Sequence, residues 1–230
     1  MEDDRGRDPA ESAVAGSSRS GPARTDTSRP EEMRRVLDGF QRRGVGDAAA
    51  PAEGRPVRSA VAIAVTMRGD EPGIWLTRRS FALRSHPGQF ALPGGRVDPG
   101  EDECAAARRE LEEELGVVVG ERDVLGVLDD YTTRSGYTMT PVVLWAGADR
   151  PVTPNPGEVA EVFFVPFEEV DVEPLFDRIP QSDRPVVKLP WRGGHLHAPT
   201  AAVIYQFREV VLHGKHTRVA DLEQPVFAWR

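Results

Sequence analysis

The stretch Gly95–Val117, GRVDPGEDECAAARRELEEELGV, sets three carboxylates, Glu110, Glu113 and Glu114, on adjacent turns of one segment. At about 100° per residue, Cys104, Ala107, Leu111 and Leu115 fall on one apolar stripe. The segment is therefore expected to form a helix from Glu101 to Leu115 with that stripe buried. The three glutamates, at spacings of three and four, then share a second face roughly 120° away. Like charges so spaced cost about 0.2–0.5 kcal/mol per pair in an isolated helix, so the crowding calls for a compensating cation or a solvated surface. A solvated acidic stripe, helped by Arg108 and Arg109, is the plain reading. Two features favour the cation. Clustered carboxylate oxygens suit hard divalent ions such as Mg²⁺ or Mn²⁺, which keep some waters and bridge to substrate phosphates. The acids also follow GGRVDPGE, a glycine-rich turn into a helix start, where free N–H groups and the helix dipole favour anions.

The spacing is more specific still. Gly95, five residues, Glu101, seven residues, Arg109-Glu110-Leu111, one residue, Glu113-Glu114, one residue, Gly116-Val117 resembles the Nudix box at every fixed position. The resemblance implies an α/β fold, the Nudix αβα sandwich with a mixed β-sheet. It also implies cleavage of a nucleoside diphosphate linked to another moiety, with the metal on the glutamates. Metal ions neutralise and orient phosphates and help to activate water. Glu110 and Glu114 are then the expected metal ligands, with Glu113 a further ligand or the group that handles the water's proton. Glu101 and Arg109 either take part in catalysis or form a structural pair that aims the loop.

The preceding loop narrows the substrate. LTRRSFALRSHPGQFALPGG is similar to the signature of the coenzyme A diphosphatase branch, with Leu76, Thr77, Arg79, Ser80, Arg84, Gly88, Pro93, Gly94 and Gly95 matching at the right spacing. Trp75 and Leu92 depart from it but stay apolar. GYTMTPVVLWAG and TPNPGEVAEVFFVP extend the likeness over roughly residues 59 to 170. Beyond that, LHAPTA keeps only Thr200 and Ala201 of a segment found in that branch. Arg79 and Arg84 suit phosphate oxygens, which match a guanidinium fork; the alternative is an Arg paired with a loop carboxylate. Ser80, Gly88, Gly94 and Gly95 complete the candidate substrate-binding set. Glu158 or Glu161 could add a carboxylate from outside the box, or be strand-edge acids.

Composition bounds the rest. A chain of 230 residues is long enough for one good core. Residues 1–28, rich in Ser, Gly, Pro, Arg and Asp, read as a disordered leader; residues 29–57 as a helix and a Gly/Ala/Pro linker; and residues 58–230 as the Nudix domain. The helix is expected to start with Ser28 as its cap and to run to about Arg43. Its basic, amphipathic face is expected to pack on the domain or on a partner subunit. No apolar run resembles a secretory signal or a membrane span, and one Cys permits no internal disulfide, which together predict a cytoplasmic protein. The net charge of −8 argues against a general nucleic-acid binder. A small-molecule diphosphate is the expected partner, with a homodimer possible.

SAVAIAVTM and GIWLTRR are expected as paired strands around RGDEP, followed by a long loop. VLGVLDDYTT, YTMTPVVLWAG and VAEVFFVPFEEV are expected as further strands, and TAAVIYQFREVVLHG as a helix ended by Gly214. FAWR is expected to close a last strand with Trp229 on the sheet, while Trp145 and Trp191 suit either core or pocket walls. His195 and His197 invite a zinc reading, but with Cys104 in the helix stripe a surface or phosphate-adjacent role is preferred. His86 either touches substrate or braces the loop. The function expected is hydrolysis of coenzyme A or its acyl forms to 3′,5′-ADP and the 4′-phosphopantetheine moiety. The alternatives are another nucleoside diphosphate derivative or triphosphate as substrate, or an idle nucleotide-sensing module.

Overall fold

A computed structural model describes residues 29–44 and 57–229. The expected leader, Ser28 and most of the linker lie outside these residues. Strand β1 (Val57–Arg68) is the spine. Its alternation of small and branched side chains separates two cores: Ala60, Ala62 and Ala64 face one side, Val61, Ile63 and Val65 the other. The alanines let helix α2 (Glu103–Leu115) lie close on their face through Ala106, Ala107, Leu111 and Leu115. The branched face joins the larger core, where full burial of one Ile or Leu contributes about 1.5–3 kcal/mol relative to exposure.

Around β1 stand β2 (Glu71–Arg79), β3 (Phe90–Ala91), β4 (Gly94–Arg96), β5 (Val124–Val127), β6 (Tyr131–Thr132), β7 (Tyr137–Ala148) and β8 (Val159–Pro166), in one eight-stranded sheet. β1 and β7 are parallel, pairing Ala62 with Val142 and Ile63 with Val143, and the other pairs are antiparallel. The sheet is therefore mixed, with helices on both faces, the α/β sandwich expected.

The topology forks where it matters. β1 and β2 pair near their hairpin, Val65 with Ile74 through Arg68 with Glu71, and then part. β3 takes the freed edge of β2 and β4 the freed edge of β1, which delivers Gly94 and Gly95 to the side of α2. A Cβ on Gly94 would sit 2.8 Å from Val61 Cα, so only glycine fits this pairing.

The N-terminal helix α1 (Pro30–Gly39) is part of the larger core through Met33, Leu37 and Phe40. Gly126 makes room for it: a Cβ there would lie 2.6 Å from Leu37 Cβ. The helix stops at Gly39, short of the expected Arg43. Beyond it, the buried carboxylate of Asp129 accepts from Arg43 N–H at 2.7 Å and from Arg218 Nη1 at 2.8 Å, tying the following segment down.

Four other expectations need correction. α2 starts at Glu103, because Asp102 caps it by accepting from Ala105 N–H at 2.7 Å. Phe167–Val170 is a short helix, α3, in place of the end of a strand. A second, three-stranded antiparallel sheet, β9 (Leu175–Ile179), β10 (Ser182–Trp191) and β11 (Gly194–His197), covers the larger core where the sequence pattern assigns no sheet. Val226–Trp229 is a 3₁₀ turn, and the Trp229 side chain lies outside the described residues. The late helix forms as α4 (Thr200–Phe207), but widens into a π turn over Arg208–Leu212 before Gly214 at φ 63°. No helix among the described residues is long and apolar enough to cross a membrane.

Candidate active site

Arg109 organises the entry to α2. Its Nε and Nη2 donate to Glu101 at 3.1 and 3.2 Å, Nη1 donates to Glu110 at 2.8 Å and to Glu113 at 3.0 Å, and Nη2 also donates to the Arg96 carbonyl at 2.9 Å. Glu101 in turn accepts from Asp98 N–H at 3.0 Å. The guanidinium hydrogen bond holds the Glu101 carboxyl below its usual range and raises Arg109 itself. The pair forms a brace that pins the loop to the helix.

The three box glutamates are not equivalent. Glu113 is about half exposed, whereas Glu110 is largely covered and Glu114 is only 4% exposed. The shared second face inferred from spacing is thus corrected: Glu114 lies within the buried side of α2, beside Leu111 and Leu115. Burial pushes its carboxyl up to about 8. The Gly94 N–H, at a long 3.5 Å, and the nearby Arg79 charge oppose the rise, while Glu110 and Glu158 add to it. Burial also raises Glu110, opposed by Arg109 and reinforced by Glu113 and Glu158. A Cβ on Gly95 would lie 2.5 Å from Glu110 Cδ, so any side chain there would push the Glu110 carboxylate aside.

Across from α2, the end of β2 and the approach to β8 complete the site. Side chains of β2 alternate, so Trp75 and Arg79 turn toward α2 while Ile74, Leu76 and Arg78 turn toward the larger core. Arg79 Nε is buried with no hydrogen-bond partner. Ser80 N–H donates to the Glu158 carbonyl at 2.8 Å, which carries the β2–β8 ladder past a bulge at Arg78/Arg79. That bulge selects between the two outlying acids. Glu158 is half-buried and close enough to act on Glu110 and Glu114, while Glu161 is exposed opposite Arg78. Strand alternation alone does not give this choice, because the bulge shifts the register.

The loop between β2 and β3 spends its other polar groups on itself. Ser80 Oγ accepts from Ala82 N–H at 3.4 Å, Gly88 N–H donates to the Arg79 carbonyl at 3.1 Å, and the His86 carbonyl accepts from Gln89 N–H at 3.3 Å. Arg84 and His86 are exposed, the latter at φ 55°. Thr200 Oγ1 donates to the Phe90 carbonyl at 3.3 Å, so the LHAPTA segment leans on the same loop.

The weaker signals resolve away from the carboxylates. His195 and His197 are on β11 with ring centroids 6.3 Å apart, and burial lowers the His197 pKa. Cys104 is half-buried on α2, its thiol raised by burial. Trp191 is buried, with its indole N–H donating to Glu169 at 2.9 Å, and Trp145 packs against the larger core. A cleft of about 520 Å³, lined by Arg68, Asp70, Glu71, Pro72, Pro166, Phe167 and Glu168, lies at the hairpin end of β1 and β2, the opposite end of the sheet from Arg79.

The donor set fits a divalent cation. It is made of hard carboxylate oxygens, and burial raises both carboxyls, so a cation that takes the place of the proton would stabilise their charged form. Among the described residues, no three His, Cys, Asp or Glu side chains converge in a ready-made cage. Mg²⁺ does not need one, since it is held by one or two carboxylates, waters and substrate phosphates.

The match to known proteins runs through this same region. A NUDIX domain profile covers residues 56–189, more than half of the chain. Nudix hydrolases named NudL from Cronobacter sakazakii and Escherichia coli K12 are 41% and 40% identical to it over 113 residues, which is 49% of this chain and 59% of each relative. The alignment thus spans little more than half the length of the curated relatives. Among solved structures, the Nudix hydrolase RenU from M. smegmatis is 21% identical with a TM-score of 0.46, covering 69% of this chain and 86% of that one. With the domain profile spanning α2, the loop before it and Glu158 together, the chain belongs to the Nudix family.

Proposed function

We propose that the chain is a divalent-metal-dependent diphosphohydrolase that splits coenzyme A or an acyl-coenzyme A into 3′,5′-ADP and the 4′-phosphopantetheine moiety. The observation that carries this reading is Glu114, buried with one long hydrogen bond and close enough to Arg79 to feel its charge, while the buried Nε of Arg79 lacks a partner. Such a donor is costly to leave unmade, by about 1–3 kcal/mol, and a substrate phosphate oxygen would satisfy it.

Glu110 and Glu114 would hold Mg²⁺ or Mn²⁺, with Glu113 at the exposed rim. The ion supplies charge neutralisation for the diphosphate and a lowered pKa for water. Arg79 would orient one phosphate by a charge-assisted hydrogen bond. Arg109 and Glu101 act through others: they fix the loop that carries Gly94 and Gly95 beside Glu110. Glu158, close enough to act on both carboxylates, would accept the proton of the attacking water. Water adds to one phosphorus, the bridging P–O bond breaks, and the bridging oxygen leaves with the other phosphate.

The coenzyme A assignment is supported by the loop positions Arg79, Ser80, Arg84, Gly88, Gly94 and Gly95. A different nucleoside diphosphate derivative, such as a nucleotide sugar or dinucleotide, is the second reading: Thr200 holds the LHAPTA segment, altered at the positions before it, against β3 at the end of the loop. The test is mass spectrometry of products from coenzyme A, ADP-ribose and a dinucleotide, each with Mg²⁺, Mn²⁺ or chelator. Metal-dependent release of 3′,5′-ADP and phosphopantetheine as the preferred products is expected. Turnover of another diphosphate with coenzyme A untouched would overturn the substrate and leave the chemistry.

A further inference from the structure

Phe81 is the most exposed large hydrophobic side chain among the described residues, at 64%. It follows Ser80 directly, and Ser80 is hydrogen-bonded to the backbone of Glu158 at the edge of the carboxylate site. An exposed ring on a polar loop forgoes its burial energy, yet this ring is held firmly. The Arg78 guanidinium stands 5.0 Å from its centroid, and Arg78 is itself fixed by donating from Nε to the Gly88 carbonyl at 3.2 Å and by lying 5.7 Å from the Phe90 centroid. Gly88, at φ 68°, forms the seat: a Cβ there would lie 2.5 Å from Phe81 Cε1. The loop thus keeps a large apolar ring against Arg78 and Gly88, mostly open to solvent, one residue beyond the Ser80–Glu158 hydrogen bond.

We propose that Phe81 is the stacking platform for the nucleobase of the substrate. The inference rests on the reading of the adjacent carboxylates as a diphosphate site and adds where the base goes. Base–aromatic stacking needs only a flat, accessible ring and tolerates any base. A ring already fixed by a cation and a glycine seat loses little side-chain freedom when the base arrives. Arg79 at the end of β2 and Phe81 two residues on then divide the nucleotide between them, phosphate to one and base to the other.

The test is calorimetric titration, with Mg²⁺, of two non-hydrolysable probes: α,β-methylene-ADP, which has a base, and methylenediphosphonate, which has none. Phe81→Ala is expected to weaken α,β-methylene-ADP about tenfold, in line with alanine substitutions at stacking rings, and to leave methylenediphosphonate unchanged. Phe81→Trp should restore binding, whereas Phe81→Leu, which keeps apolar bulk without the ring, should not. Equal affinities of wild type and Phe81→Ala for α,β-methylene-ADP would overturn the proposal. So would equal weakening of both probes, failure of wild type to bind α,β-methylene-ADP, or a change confined to self-association. Turnover separates the two readings. Wild type that hydrolyses a nucleoside diphosphate derivative while Phe81→Ala binds normally removes only the platform; base-dependent binding without any turnover removes only the hydrolase reading.

Discussion

Glu114 and Glu209 are both almost completely buried, at 4% and 5% exposure, yet their surroundings are opposite. Glu209, in the π turn after α4, accepts from Arg208 Nη1 at 2.6 Å with one oxygen, and from Lys215 Nζ at 2.9 Å and Thr217 Oγ1 at 3.2 Å with the other. Arg208 is bonded onward to Asp171, which His213 also reaches. Glu114 has one long contact from Gly94 N–H and a carboxyl raised to about 8. A buried carboxylate whose acceptor sites are filled holds the fold together. One left short of donors is buried at a cost that a bound proton or a bound cation can offset. The π turn, a geometry frequent at functional sites, is in this chain the structural case.

The sharpest way to break this contrast is to neutralise each acid. Glu114→Gln and Glu110→Gln should lower metal-dependent turnover by on the order of 10²–10³-fold, the scale set by removing one preorganised electrostatic group. Glu114→Gln should not lower the metal-free melting temperature at pH 8, because an amide is cheaper to bury than an unpaired carboxylate. Glu209→Gln should do the reverse. Removing one partner of a buried ion pair costs roughly 3 kcal/mol, read as a drop in the urea midpoint, with turnover per folded molecule preserved. Unchanged turnover in both α2 variants would sink the assignment of the site.

Arg79 should show the next largest effect. A charge-assisted hydrogen bond to phosphate contributes about 1.5–3 kcal/mol, so Arg79→Leu is expected to reduce kcat/KM by about 10- to 100-fold. Lys keeps the charge but not the fork, so Arg79→Lys should recover only part. Full recovery by Lys would mean that the buried Nε is not the group that matters.

The raised Glu114 carboxyl also gives a pH signature. Its ordinary value is 4.5 and its folded value about 8. Between these the folded state holds a proton that the unfolded chain has released, so metal-free stability should fall as pH rises through that window. Added Mg²⁺ or Mn²⁺ should therefore raise the melting temperature more at pH 8 than at pH 5.5, and Glu114→Gln should flatten the metal-free slope. A metal-free stability that rises from pH 5.5 to 8 would show that Glu114 is ionised in the folded protein without help.

How much of this was legible in the sequence follows from how local each signal is. The β1–β2 hairpin, α2 and its apolar stripe rest on short-range pattern, and they form as expected. The burial of Glu114 was not legible, because helical spacing places a residue on a face but not the neighbouring strand that covers it. The small sheet was hidden by its composition. Leu175–Ile179 is exposed along nearly its whole length without alternation, and β10 contains Pro185 and Pro190, which argue against a central strand. The chain tolerates Pro185 because the β9–β10 register shifts between Ser182 and Val186, around the proline. That accommodation is tertiary, and no local rule encodes it.

Asp102 supplies the mildest and most discriminating case, an acid at the start of the same helix whose carboxylate is engaged by Ala105 N–H. If partner satisfaction separates structural from functional acids, Asp102 belongs with Glu209 despite lying in the box. Asp102→Ala should cost about 1 kcal/mol of stability, the usual loss of an N-cap, seen as a shift in the urea midpoint. Asp102→Asn, which keeps a cap acceptor, should cost only a few tenths. Metal-dependent turnover per folded molecule should be the same in both as in wild type. A loss of turnover in Asp102→Asn comparable to that in Glu114→Gln would show that total negative charge around α2, rather than the unfilled acceptors of particular carboxylates, is what binds the cation.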